Sequence, residues 1–338
     1  MPGLPIGKLP PDLLRQLLSS SARPDPRVRL GPGIGLDCAV IEAGDRWLVA
    51  KSDPITFASD EIGAYAVHVN ANDIATTGAR PLWFLATILL PEGGADQALA
   101  EAIFRQILMA CDEISATLVG GHTEITSGLG RPIVAGTMLG EVERGRLITP
   151  RGARPGDSLL LTKGIPIEGA SVAAREFAGR LSSLSPATIR RAKEYLHSPG
   201  ISVVREALCA AECGGVHAMH DPTEGGIAGG LWELAEAAGV GLEIEAETIP
   251  ILPEGRAICE ALGLDPLATI ASGALLLAVE ASAASRIAAA VLADGIACTQ
   301  IGRIVEGTGV AMRKGEATIP LPRPDRDALT ALYEASAS

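Results

Sequence analysis

The sequence predicts two successive α/β units: an α+β domain over residues 1–150 and an α/β domain over 151–338. Three observations carry this. The chain has 338 residues, and a typical domain holds about 100–200, so two domains are the default expectation. Aromatic residues make up only 3%, so the core must be built from Ala, Val, Ile and Leu, which gain most from close helix–sheet approach. Strand-length apolar runs alternate with helix-periodic segments on both sides of TPRGARPGD, a basic, turn-rich stretch around Pro150–Gly156.

A short helix is expected at Asp12–Ser19, followed by a stretch rich in Pro and Gly to Gly35. Cys38–Glu42 and Trp47–Ser52 read as strands joined by a turn at Ala43–Arg46. A helix is expected over Asp60–Gly78, with Ser59 as N-cap, acids in the first turn and Gly78 at the C-terminal cap. Ile62, Ala66, Val69 and Asp73 fall on one face of it. Leu82–Leu90 has strand length. Asp96–Ser115 is amphipathic, with Leu99, Ile103, Ile107, Ala110 and Ile114 on one side. Strands begin again at Leu118–Gly121 and Pro132–Glu143.

In the second unit Ser158–Thr162, Gly241–Glu245, Ala271–Glu280 and Thr299–Val305 read as strands. Helical stretches are expected at Glu168–Gly179, Arg190–Glu194, Val203–Cys213 and Ile227–Ala238, with a closing helix at Arg326–Glu334.

A net charge of −12 argues against nucleic acid as partner, because phosphate neutralisation by basic residues supplies much of that affinity. An acidic chain still binds nucleotides where a metal ion bridges carboxylate to phosphate. No apolar run reaches membrane-span length, and the N-terminus lacks a signal-peptide pattern, so a cytoplasmic protein without membrane partners is expected. The six cysteines form no C-x-x-C pair; Cys209 and Cys213 read as small buried residues of an Ala-rich helix. No P-loop, G-x-G-x-x-G, H-E-x-x-H or G-x-S-x-G occurs, which argues against the dehydrogenase, zinc-protease and hydrolase classes.

What stands out is aspartate in apolar company. Asp37 ends GPGIGLD, Asp53 ends WLVAKSD, Asp73 interrupts the apolar face of its helix, and Asp221 opens DPTEGG. Each alone reads equally well as a cap or turn residue. Four together favour a shared Mg²⁺ site, because a buried carboxylate needs a cation or several donors. Lys51, beside Asp53, is placed to meet a phosphate, or is a solvated strand-end lysine. Gly120 and Gly121, with His122 and Thr123, follow a strand, and Gly225–Gly226 precede a helix; glycine lets backbone N–H groups approach a phosphate.

Taken in order, these segments resemble the superfamily of aminoimidazole ribonucleotide synthetase, the PurM-like proteins, and within it the HypE group of hydrogenase maturation factors. The family's G-D-D-A-A-V segment corresponds to Gly35-Leu36-Asp37-Cys38-Ala39-Val40, and its Thr-Asp strand end to Ser52-Asp53. N-D-[IL]-A-x-x-G-A-x-P is matched throughout by Asn72–Pro81, the Gly-Gly-[acid or His]-Thr loop by Gly120–Thr123, and D-P-T-x-G-G by Asp221–Gly226. Ser272–Leu276 resembles a further family strand.

The resemblance implies a homodimer whose N-terminal domains join in a β-barrel, with an α/β C-terminal domain and a cleft for ATP and Mg²⁺. It implies that Asp37, Asp53, Asp73 and Asp221 hold metal, that Asp37, Asp73 and Asp221 are catalytic, and that Lys51, Asn72, Gly120, Gly121, His122 and Thr123 contact the nucleotide. The implied reaction is ATP-dependent activation of an amide or carbamoyl oxygen by phosphoryl transfer, with small-molecule phosphorylation, as in thiamine-monophosphate kinase, or ATP binding without catalysis as alternatives. Two departures stand out. Leu36 replaces the first acid of G-D-D-A, and no cysteine follows Cys298, where HypE ends in a cysteine that carries the reacting group. The expected substrate is therefore a separate small molecule or carrier protein.

Overall fold

A six-stranded mixed sheet organises the first half of the chain, in the order β1-β2-β3-β6-β4-β5. The computed structural model describes residues 4, 9–19, 25–33, 36–56 and 58–337; Gly35 of the G-D-D-A-like segment lies outside them. The elements are α1 (Pro11–Ser19), β1 (Val28–Leu30), β2 (Ala39–Ala43), β3 (Arg46–Ile55), α2 (Ile62–Thr76), β4 (Arg80–Pro91), α3 (Gln97–Glu113), β5 (Thr117–Thr126) and β6 (Ile133–Glu143). β2 and β3 form the expected hairpin, with Ala43 opposite Arg46. All pairings are antiparallel except β4 with β5, which leaves β5 as a parallel edge strand.

α2 is buried along its whole length. The sheet lets it lie close because β6 carries glycine beneath it. A Cβ at Gly136 would come within 2.5 Å of Asn70 Nδ2 and 2.9 Å of the Ala66 carbonyl, and one at Gly140 within 2.4 Å of Ile74. This is the close approach that the small-residue composition calls for.

The helix starts later than its sequence signals indicate. Ser59 does not cap it: Glu61, at φ 58°, precedes Ile62 with no side-chain cap. Tertiary contacts outcompete the local signal, since the Ser59 N–H donates to Glu176 of the second half and Asp60 pairs with Arg175.

The second half contains β7 (Ser158–Thr162), α4 (Ile167–Glu176), α5 (Pro186–Lys193), α6 (Val204–Cys213), β8 (Val216–His220), α7 (Gly226–Ala238), β9 (Gly241–Glu245), α8 (Pro253–Leu262), β10 (Leu276–Val279), α9 (Ala284–Ala293), β11 (Cys298–Val305), β12 (Gly309–Lys314), β13 (Ala317–Pro320) and α10 (Thr330–Ala337). Its mixed seven-stranded sheet has the order β13-β12-β9-β11-β7-β10-β8. The expected strand over 271–280 narrows to β10, because Gly273, at φ 108°, turns the chain against the Gly200–Ile201 backbone. β8, which carries the chain to Asp221, α8, α9 and the β12–β13 hairpin were not expected from the sequence. The closing helix begins at Thr330, whose hydroxyl donates to the Asp327 carbonyl. Among the described residues no helix is long and apolar enough to cross a membrane.

Candidate active site at the domain junction

β3 delivers Lys51 and Asp53 to one face, because alternate strand residues share a side. The approach to β2 delivers Asp37, α2 delivers Asp73, and the end of β8 delivers Asp221. The structure thus brings together all four aspartates of the sequence reading around Lys51.

The ammonium of Lys51 lies 2.8 Å from Asp73 Oδ2, 3.5 Å from Asp53 Oδ2 and 4.0 Å from Asp37 Oδ1. Lys51 is no solvated strand-end lysine: its side chain is 13% exposed and that of Asp73 only 5%, whereas Asp53 retains 40%. Burial works against the ammonium, but the charges of Asp73, Asp37 and Asp53 outweigh it and hold Lys51 protonated, well above the usual lysine range. Burial pushes Asp73 the other way, up to about 6, against the attraction of Lys51. Asp221 is raised well above the carboxylate range by burial first and then by the charges of Asp73 and Asp37. Adjacent buried carboxyls cannot both ionise cheaply, so Asp73 and Asp221 hold a proton between them near neutrality.

Supporting groups fix this cluster. Cys38 Sγ donates to the Asp73 carbonyl at 3.2 Å, which anchors the segment bearing Asp37 to α2. Burial raises that thiol well above its ordinary range, so it stays protonated as a donor. Asn70 Nδ2 donates to the Asp53 carbonyl at 3.2 Å. His220 Nδ1 lies 3.8 Å from Asp37 Oδ2, and its Nε2 is 2.8 Å from Glu233 Oε2. Sequence reasoning missed Asn70, His220 and Glu233. The available signals were the N-x-N-D spacing and the histidine directly before Asp221; Glu233 in mid-helix gave none.

Two groups of sequence-predicted residues lie elsewhere. The Asn72 side chain, expected on the nucleotide, joins the two halves: Nδ2 donates to the Ile201 carbonyl and Oδ1 accepts from the Val203 N–H, each at 2.8 Å. It is fully buried, so its role is to position Asp73 beside it. Gly120, Gly121, His122 and Thr123 do not form a loop after a strand. They lie within β5, three strands from β3 in the sheet order and exposed, with His122 paired to Glu124 at 3.1 Å. Within one chain they do not meet the aspartate cluster.

The donor set suits a hard divalent cation. Carboxylate oxygens are its preferred ligands, and Asp221 Oδ2 is buried with no hydrogen-bond partner. In the present arrangement Lys51 supplies the positive charge, and among the described residues no three His, Cys, Asp or Glu side chains converge on a metal position. The turn after Asp221 shapes the second-domain wall. Gly225 and Gly226, at φ 82° and 61°, adopt left-handed conformations, and a Cβ at Gly226 would lie 2.6 Å from the Leu267 and Thr269 carbonyls.

Residues 35–142 match the AIR synthase related protein, N-terminal domain, and residues 154–315 match the AIR synthase related protein, C-terminal domain. Carbamoyl dehydratase HypE of Rhodobacter capsulatus is 31% identical over 313 residues, covering 88% of this chain and 86% of that protein. HypE of Cupriavidus necator is 33% identical over 272 residues, 78% and 74% of the two chains. In fold, the chain is similar to HypE in a HypE–HypF complex, with a TM-score of 0.75 at 22% identity over 92% of this chain and 99% of that one. It is also similar to HypE in complex with ATP, with a TM-score of 0.72 at 22% identity over 93% and 91%. With both halves matched in order and HypE relatives spanning most of its length, the chain belongs to the AIR synthase related family as a two-domain PurM-like protein of the HypE kind.

Proposed function

We propose that this protein is a HypE-like, ATP-dependent enzyme that activates an amide or carbamoyl oxygen of a separate substrate by phosphoryl transfer. The observation that carries the reading is Lys51, buried and charged among Asp37, Asp53 and Asp73, with Asp221 facing them from the second domain. In such reactions positioning and charge neutralisation do most of the work. Lys51 offers a fixed ammonium to the transferred phosphoryl oxygens. Asp73 and Asp221, which share a proton on their own, give it up when a cation binds; the acceptor oxygen then bonds to the terminal phosphorus as the bond to ADP breaks, and His220, held by Glu233, orients Asp37. A Mg²⁺ ion held by Asp37, Asp53, Asp73 and Asp221 would neutralise polyphosphate charge when bound.

The reading extends to the assembly. β5 is an edge strand with Val119 and Ile125 exposed at 52% and 66%, and such an edge is relieved by pairing with a second copy. We place the domain division near residue 150, the partner in a homodimer joined through a β-barrel, and the nucleotide contacts of Gly120–Thr123 across that dimer. A cytoplasmic location fits an ATP-using enzyme.

The test is calorimetry with ATP with and without Mg²⁺, followed by incubation with a panel of amides and carbamoyl compounds and identification of products. Mg²⁺-dependent binding, with ADP formed only in the presence of an amide or carbamoyl acceptor, is the expected result. Equal ATP affinity without Mg²⁺ would overturn the metal-bridged site. Stable phosphorylation of a hydroxyl or phosphate acceptor would replace the reading with a small-molecule kinase.

A further inference from the structure

A second buried lysine lies outside the acidic cluster. Lys163 follows β7 at a left-handed φ of 55°, a conformation that a residue other than glycine keeps only when its surroundings fix it. Its N–H donates to the Ala297 carbonyl at 2.7 Å. Its side chain is 5% exposed and pairs at 2.8 Å with Glu206 of α6, which is 1% exposed. Glu206 in turn accepts from the Thr162 hydroxyl, and that hydroxyl accepts from the Leu275 N–H. Burial lowers the Lys163 ammonium from its ordinary value, against the attraction of Glu206.

An ammonium has three N–H donors, and here Glu206 takes one while the carbonyls of Gly200 and Ser202 take the others. No donor is left for a substrate, so Lys163 acts on the backbone of residues 200–203. The same segment is gripped from its other side: Asn72 donates to the Ile201 carbonyl and accepts from the Val203 N–H. A third side is closed by Gly273, where a Cβ would lie 3.0 Å from the Gly200 carbonyl oxygen and from Ile201 Cα.

Residues 200–203 therefore bridge the two halves, with Lys163 on one bank and Asn72, next to Asp73, on the other. Lys163 and Asp221 belong to one frame. Leu161 of β7 and His220 of β8 both lie opposite Leu276 of β10, so Lys163 and Asp221 leave the second sheet at the same end. A contact chain thus runs from the sheet that carries Asp221, through Lys163 and residues 200–203, to the helix that carries Asp73.

We propose that Lys163, with Glu206, is a positioning residue: it clamps residues 200–203 to the second sheet, and through Asn72 this sets Asp73 of the first domain against Asp221 of the second. The clamp rests on these contacts; its consequence for catalysis rests on the proposed phosphoryl-transfer function.

Hydrogen exchange read by mass spectrometry on the full chain, together with calorimetry of Mg-ATP, tests this. Lys163→Met alone leaves Glu206 as a buried charge without compensation, so the working variant is Lys163→Met with Glu206→Gln, which removes both charges at nearly constant shape. Without nucleotide, peptides covering 72–77 and 200–205 should exchange about tenfold faster than in the wild type, while one covering 84–90 in β4 stays unchanged, a split that a general loss of stability does not give. Mg-ATP affinity should fall about tenfold, because the acids that hold the cation lose their spacing. Where the double variant does not fold, Glu206→Gln alone serves. Lys163 then donates to the two carbonyls without a counter-charge, and the same two peptides should exchange about threefold faster. Unchanged exchange at both peptides in a folded variant, or equal acceleration of all three, overturns the proposal, as does the expected split with wild-type Mg-ATP affinity. A wild type that does not bind Mg-ATP overturns the nucleotide reading, and the exchange split then decides the clamp by itself.

Discussion

Replacing Asp73 by Asn isolates the electrostatic cost stored in the site. Burial, outweighing the attraction of Lys51, pushes the wild-type carboxyl up to about 6 in the folded protein, against 3.8 for an exposed aspartate. A raised acid pKa means that the folded state binds more protons than the unfolded one between these two values, so stability falls as pH rises through that window. The rise from 3.8 to about 6 corresponds to about 3 kcal/mol of stability lost by pH 7.5, at about 1.4 kcal/mol per tenfold change in the proton equilibrium. Asparagine keeps the shape and stays neutral at every pH.

The expected result is therefore a variant that melts with the wild type near pH 3, below both values, and above it at pH 7.5. At roughly 2–4 °C per kcal/mol for domains of 150–250 residues, the gap at pH 7.5 is on the order of 6–12 °C. Differential scanning fluorimetry without nucleotide, at half-unit pH intervals, measures it. Mg-ATP affinity should move the opposite way, falling about 100-fold, because the lost charge is one that the bound cation needs. A variant less stable than wild type at pH 7.5 with unchanged Mg-ATP affinity would refute the reasoning and make Asp73 a structural partner of Lys51.

Lys51→Met removes the charge that favours ionised Asp73, so it should cost about 3 kcal/mol at pH 8 and less at pH 5, where Asp73 is protonated in both proteins; thermal melts at the two pH values check this. Asn72→Ala leaves the Ile201 carbonyl and Val203 N–H buried without their partner, a loss of about 2–4 kcal/mol by melting; a fall in ATP affinity at unchanged stability would instead mean direct nucleotide contact. Because Asp221 is raised by burial and by its acidic neighbours, Mg-ATP binding near pH 7 should release protons; calorimetry in buffers of different ionisation enthalpy reads this, and identical heats would refute it. Ile125→Lys on the exposed edge strand should shift the protein from dimer to monomer in sedimentation velocity, and a wild-type monomer at micromolar concentration would count against the barrel.

The sequence by itself determined the two-unit order, most of the elements with strong periodicity, and the identity of four acids that needed a cation. Those inferences rest on local physics: a 3.6-residue period, turn formers between apolar runs, and the cost of a carboxylate in apolar company. The start of α2, the length of β10 and the place of Gly120–Thr123 in mid-strand depended on contacts from distant segments, such as Asp60 with Arg175 and Gly273 against Gly200. Tertiary structure alone decided that Lys51 is the centre of the acidic cluster, that Asn72 joins the domains, and that His220 and Glu233 belong to the site. Neither spacing nor composition encodes these, because side chains from β3, α2, β8 and α7 meet only after two sheets and their helices have packed, and burial then sets which of them keep their charge.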